Sequence, residues 1–272
     1  MSNTKIRIIV SFFAIPILLL LAYYGKWFFT SFVVIISLIA FYELSKLSES
    51  KGAKVNTFWG ILGITVIIIN SYLKLIENLF LIISIWFLLL LLIELFRNNG
   101  SPFINIGLTT IGFLFFSISG HSLIGIRELF NQLFVSYING GYLIISILGT
   151  IWVCDSIAFF GGTKFGKHKL FPRVSPNKSW EGAILGFLSS ILTMILFKEL
   201  FLVFLSYYQT LIISLIIGVI GQIGDLIESL LKRDAGAKDS SNIIPGHGGV
   251  YDRFDSLYYS APFIYFYLYY TI

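Results

Sequence analysis

Near its C-terminal end the chain reads GQIGDLIESLLKRDAGAKDSSNIIPGHGGVYDRFDS from Gly221 to Ser256, mixing carboxylates, bases, a histidine and a Gly-Gly pair. Ionisable groups beside a bilayer are costly, so such a cluster is first a functional hypothesis. Acids and bases interleaved in one polar loop suit a site that holds metal ions and phosphates together. Asp225, Glu228, Ser229 and Lys232 fall at i, i+3, i+4 and i+7, which places them in one polar stripe of a helix. Snorkelling at a helix end accounts equally well for Lys232 and Arg233. It accounts poorly for Asp225, which lies at or below the membrane surface. His247 is flanked by Pro245, Gly246, Gly248 and Gly249, a tight loop whose backbone can approach an anion or merely order itself. Asp252 and Asp255 stand one helical turn apart at the start of the last apolar run, where acids also serve as ordinary caps. For Asp252, beside Arg253 and after the glycines, metal binding is favoured. Asp225 and Asp252 are expected to face one another from adjacent helix ends.

A second polar segment precedes this one. Asp155 sits inside an apolar run, and an intramembrane acid usually has a partner or a pathway. After Gly161-Gly162 come five bases, Lys164, Lys167, Lys169, Arg173 and Lys178, a number that suits a polyphosphate, although topology alone explains some of them. Gly161-x-x-x-x-Gly166-Lys167 imitates a phosphate-binding P-loop. His168 stands where Ser or Thr would hold magnesium, and a membrane helix rather than a buried strand precedes it, so that reading is rejected. Gly182-x-x-x-Gly186 reads as a helix-packing contact.

The elements that must position these residues are membrane helices. Of 272 residues, 57% are hydrophobic and 12% charged, and the mean hydropathy is +0.87, which excludes an ordinary soluble domain. The net charge of +5 comes from bases in loops between apolar runs. Anionic lipid, nucleotide and positive-inside topology explain it better than nucleic acid. The single cysteine, Cys154, excludes an intramolecular disulfide. The run from Ile8 to Tyr24 is longer than a signal-peptide core, and no small-residue cleavage site follows, so no cleaved leader is expected. Nine spans are predicted, at about Ile6–Tyr24, Phe28–Tyr42, Thr57–Tyr72, Leu79–Phe96, Phe103–Ser119, Tyr142–Phe160, Ala183–Phe197, Thr210–Leu226 and Ser256–Ile272. With a cytosolic N-terminus, fifteen of the 19 Lys and Arg fall on the cytosolic side; only Lys26, Lys74, Arg127 and Lys198 fall opposite. The expected fold is therefore an all-α polytopic membrane protein, N-terminus cytosolic and C-terminus on the opposite side. Residues 1–140 read as a transmembrane scaffold, with Glu43, Glu77 and Glu94 as helix caps or interface groups and a surface for lipid or a homodimer. Residues 141–272 read as the catalytic region, with cytosolic loops 161–182 and 231–255. A bacterial inner membrane is the expected location.

The segment Ser229 to Asp255, SLLKRDAGAKDSSNIIPGHGGVYDRFD, resembles the signature of phosphatidate cytidylyltransferases, or CDP-diacylglycerol synthases. The loop SPNKSWEG, Ser175 to Gly182, and DSIAFFGG from Asp155 are similar to the same family; Phe159 replaces a frequent tyrosine and Ser179 a common threonine. The resemblance implies transfer of a cytidylyl group from CTP to phosphatidic acid in a lipid bilayer, giving CDP-diacylglycerol and pyrophosphate with Mg2+. It implies metal binding by Asp225 and Asp252; Asp155 and Asp255 are further metal candidates from their own places in the sequence. It implies phosphate or nucleotide contacts from Lys178, Ser229, Lys232, Lys238, His247 and Arg253. Arg233 and Asp239 in the same signature, and Trp180 and Glu181 beside the cytosine, complete the candidate set. The chemistry of the residues agrees, since metal ions and Lys/Arg clamps are what joining two anions requires. Rival readings are a transferase for another lipid acceptor, a CTP-dependent lipid kinase, an ion transporter using Asp155 and Asp225, and a plain scaffold. A transporter would place charges near the midplane and show repeated halves; neither is visible here.

Overall fold

In lipid each backbone polar group must be satisfied within its own segment, so the apolar runs become helices. The computed structural model describes residues 3–132 and 136–272. Its helices are α1 (Asn3–Tyr24), α2 (Lys26–Glu49), α3 (Thr57–Leu73), α4 (Leu79–Phe96), α5 (Pro102–Gln132) and α6 (Ile138–Phe165), then α7 (Trp180–Leu200), α8 (Tyr207–Ile216), α9 (Gln222–Asp234) and α10 (Tyr251–Thr271). A π-helical turn, Ile217–Gly221, joins α8 to α9, so these two form one column and the described residues make nine columns in all. Seven columns are long and apolar enough to cross a membrane. The other two are α3, 17 residues long, and the tyrosine-rich α10.

The expected spans correspond one to one with these columns, but α5 and α6 are longer than their apolar cores suggested. Because α6 continues to Phe165 and α9 to Asp234, the loops shrink to 166–179 and 235–250. The first contains the structure's only sheet among the described residues, an antiparallel hairpin of β1 (Lys169–Phe171) and β2 (Ser175–Ser179). It was not foreseen because its strands are only three and five residues long. The Lys5 side chain of the charge count lies outside the described residues.

Local chemistry sets several ends. Asn56 and Asn78 cap α3 and α4 by accepting from the amides of Trp59 and Leu81, and Ser206 with Gln209 forms a reciprocal capping box on α8. The core runs between α2, α5 and α10, where Phe41, Phe116, Tyr251 and Tyr258 are almost fully buried and stack edge to face. Against this core α10 is an inner helix, not a peripheral one. On the other side of the bundle, α7 closes on α6 through the two glycines of the Gly182/Gly186 pair. A Cβ at Gly182 would meet the Ala158 carbonyl oxygen at 2.6 Å, and one at Gly186 the Ala158 Cβ at 2.9 Å.

Candidate active site

The polar stripe of α9, the first turn of α10, α6 and the hairpin converge at one end of the bundle. Asp225 comes from α9 directly after the π turn. Such turns insert one residue into the helical register and recur at functional sites. The Ser256 hydroxyl of α10 donates to the Gly221 carbonyl within that turn at 3.2 Å, tying the two helices together beside the acids. Asp225, Glu228 and Asp255 then offer carboxylate oxygens that lie within 4.8 Å of one another. At that separation and an effective dielectric of about 20, each like-charged pair repels by roughly 3.5 kcal/mol. The cluster therefore calls for cations.

Two lysines supply part of them. Lys178, at the end of β2, reaches Asp225 Oδ2 at 2.5 Å. Lys232, one turn beyond Glu228 on α9, contacts Glu228 Oε2 at 2.6 Å and Asp252 Oδ1 at 2.7 Å. Asp155 of α6 completes the set: its residue is exposed, and the charges of Asp225, Lys178 and Arg253 act on it. Five carboxylates thus share a site with Lys178, Lys232 and Arg253. Glu228 is 1% exposed, and its Oε1 has no hydrogen-bond partner. An orphaned buried carboxylate oxygen costs the full desolvation of that group. With Asp225 and Asp255, Glu228 makes an all-oxygen donor set of the kind a hard divalent cation takes, so the residues fit a magnesium ion.

Asp252 is placed beside this triad rather than in it. Its carboxylate accepts from the Ser240 amide at 3.0 and 3.2 Å and from the Gly249 amide at 2.7 Å, besides Lys232. The Gly249 amide, expected to steady a phosphate, is engaged by Asp252. Gly248, at φ +87°, turns the chain there and leaves no space for a Cβ, which would meet Asp252 Oδ2 at 2.7 Å.

The remaining predicted residues scatter around this centre. The Ser229 hydroxyl reaches Asp225 Oδ1 at 3.5 Å. Arg253 donates to the His247 carbonyl at 2.8 Å, while the His247 ring meets the Ser11 hydroxyl of α1 at 3.2 Å. Arg233 contacts backbone carbonyls of Val174 and Ala237, and Lys238 and Asp239 are exposed on the loop. Trp180 is exposed at the start of α7. Glu181, a candidate for contact with the cytosine, lies in the first turn of α7. Its carboxylate accepts from the amides of Lys167 and His168 and pairs with the His168 ring at 2.6 Å, bracing the hairpin.

Sequence reasoning passed over Glu228 as a ligand, although it lay in the stripe, and assigned Glu43 only a capping or interface role. Glu43 does cap a helix, but one more than 200 residues away: it accepts from the amides of Val250 and Tyr251 at 3.0 and 2.7 Å. The available signal was its place as the first acid of the chain, directly behind a long apolar run.

A polytopic helical bundle that gathers carboxylates, lysines and an arginine at one end has the outline of a membrane protein acting on anionic substrates. The comparisons specify it. A family model described as "Cytidylyltransferase family" matches residues 5–271, and the chain belongs to that family. It is 34% identical to the phosphatidate cytidylyltransferase of Bacillus subtilis over 272 residues, 98% of each chain. With the protein of the same name from Brucella abortus it shares 34% over 270 residues, 97% of this chain and 93% of the other. With that from Haemophilus influenzae it shares 42% over 136 residues, 48% of this chain and 47% of the other.

Proposed function

We infer that this cytidylyltransferase joins the cytidylyl group of CTP to phosphatidic acid, releasing pyrophosphate and forming CDP-diacylglycerol, at the cytosolic face of a bacterial inner membrane. The observation that carries the reading is the meeting of Lys178, Lys232 and five carboxylates at one end of the bundle, in a chain whose full-length relatives bear that name.

The attacking atom is an oxygen of the lipid phosphate, which is already anionic near neutral pH, so no strong general base is required. It bonds to the α-phosphorus of CTP while the bond to the pyrophosphate oxygen breaks. What the protein must supply is positioning of two anions and stabilisation of charge on the leaving group. Lys178 and Lys232 are already at the cluster, and substrate phosphates replace carboxylates as their partners. Arg253, Lys238 and Arg233, all exposed on the same loop and helix ends, attract the triphosphate. Asp225, Glu228 and Asp255, with Asp252 and Asp155 beside them, would hold Mg2+. When bound, the ion neutralises phosphate charge and favours departure of pyrophosphate. The acyl chains stay in the bilayer while the headgroup enters from the helix ends.

The test uses the purified chain in detergent micelles with labelled CTP, phosphatidic acid and Mg2+, against a chelator control and Asp252→Asn. Labelled CDP-diacylglycerol is expected from the complete mixture alone. Folded protein that makes no product from phosphatidic acid, yet labels another phospholipid acceptor, would overturn the choice of acceptor.

A further inference from the structure

Glu43 lies in α2, within the half of the chain that carries no other chemistry, and is 1% exposed. Each of its oxygens accepts two hydrogen bonds. Oε1 takes the Ser241 hydroxyl at 2.5 Å and the Val250 amide at 3.0 Å; Oε2 takes the Ser240 hydroxyl at 3.1 Å and the Tyr251 amide at 2.7 Å. A buried carboxylate is tolerable only when its acceptor capacity is met, and here four neutral donors meet it. Two of these donors, the Val250 and Tyr251 amides, lie at the N-terminus of α10, where negative charge is favoured.

These donors tie the middle of the polar loop, Ser240 and Ser241, to its junction with α10. Ser240 is held from both sides, its hydroxyl by Glu43 and its amide by Asp252. Gly249 passes through the same point: a Cβ there would collide with the Ser240 hydroxyl and sit 2.7 Å from Glu43 Oε1. Asp252 follows Tyr251 directly and grips Lys232. The chain of contacts therefore runs from α2, through the closed loop, to the carboxylate and ammonium at the acidic cluster.

We propose that Glu43 is a positioning residue for the transfer reaction, closing the loop between Ser240 and Tyr251 so that Asp252 and Lys232 are held against Asp225, Glu228 and Asp255. The proposal rests on the cytidylyltransferase reading. Glu43 touches no substrate; it acts through Ser240, Ser241 and the first amides of α10.

The experiment compares wild type, Glu43→Gln and Ser240→Ala, each full length in micelles, for kcat, KM for CTP and the Mg2+ concentration giving half-maximal rate. Glu43→Gln keeps the volume but opposes two donors with its amide. The expected result is a kcat lower by on the order of tenfold to a hundredfold and a raised Mg2+ requirement, in protein with the elution profile of wild type. Ser240→Ala, which leaves three of the four bonds to Glu43, shifts the Mg2+ requirement in the same direction by less, and its effect is not additive with Glu43→Gln. A lower Tm with unchanged kcat and Mg2+ dependence would make Glu43 merely structural and overturn the proposal. Should Glu43→Gln fail to fold, an unchanged Mg2+ requirement in Ser240→Ala overturns it equally. An inactive wild type would overturn the reaction itself, whereas active wild type with unaltered variants would overturn only the role of Glu43.

Discussion

Glu228 has the largest unmet demand in the site: one oxygen held by Lys232, the other buried without a partner. Glu228→Gln preserves shape and removes the charge. If that oxygen faces a divalent cation, the Mg2+ concentration for half-maximal activity rises by roughly tenfold or more, because weakening even outer partners of a metal costs about that much. A titration of initial rate against Mg2+ reads this directly, and an unchanged midpoint would remove Glu228 from the set of ligands. Residue-level detail was partly legible in the sequence. The i, i+3, i+4, i+7 stripe groups Asp225, Glu228 and Lys232 on one helix face, because helical periodicity is local. What periodicity cannot give is which side chains from different helices oppose one another. Asp255 against Asp225, Lys178 against Asp225 and Glu43 against Ser240 are long-range facts of packing.

At the scale of elements, the site depends on how closely α6 and α7 approach, since α6 carries Asp155 and the segment between them carries Lys178. The Gly182/Gly186 pair sets that distance. Gly186→Leu inserts a side chain where even a Cβ lies 2.9 Å from Ala158 Cβ and 3.0 Å from the Cys154 carbonyl oxygen. Overpacking of this kind costs about 1–3 kcal/mol. The expected outcome is a lower Tm in micelles together with reduced transfer activity, while Ile184→Leu, on an exposed position of the same helix, leaves both near wild type. A Gly186→Leu protein with wild-type Tm and rate would remove the glycines from any role in spacing. The small-xxx-small pattern announced this contact because backbone approach demands small residues, whatever the fold. The hairpin and the π turn left no comparable mark: the hairpin strands are only three and five residues long, and the π turn lies inside an unbroken apolar run.

The whole molecule is polarised. Arg7 donates to the Gly246 carbonyl, Lys51 pairs with Asp234, and Arg97 donates to the Lys54 carbonyl, so the basic ends of α1, α2, α4 and α9 share one side with the acidic cluster. Lys26 and Lys74 line a cavity of about 500 Å³ with Glu128 and Tyr137, away from those ends. Exposed pairs such as Lys51 with Asp234 add little stability, so their weight is topological: bases gather on the side that is not translocated. The helical columns were legible because the length and apolarity of a run are properties of composition, independent of tertiary detail. Sidedness follows as a prediction. In a Cys154→Ser background, a membrane-impermeant maleimide should label Lys238→Cys in inside-out vesicles and Lys74→Cys in right-side-out vesicles, both positions being exposed. The reverse pattern would turn the substrate site away from the compartment that holds CTP. That would leave the bundle with a nucleotide site no nucleotide could reach, so the orientation of the chain and its activity stand or fall together.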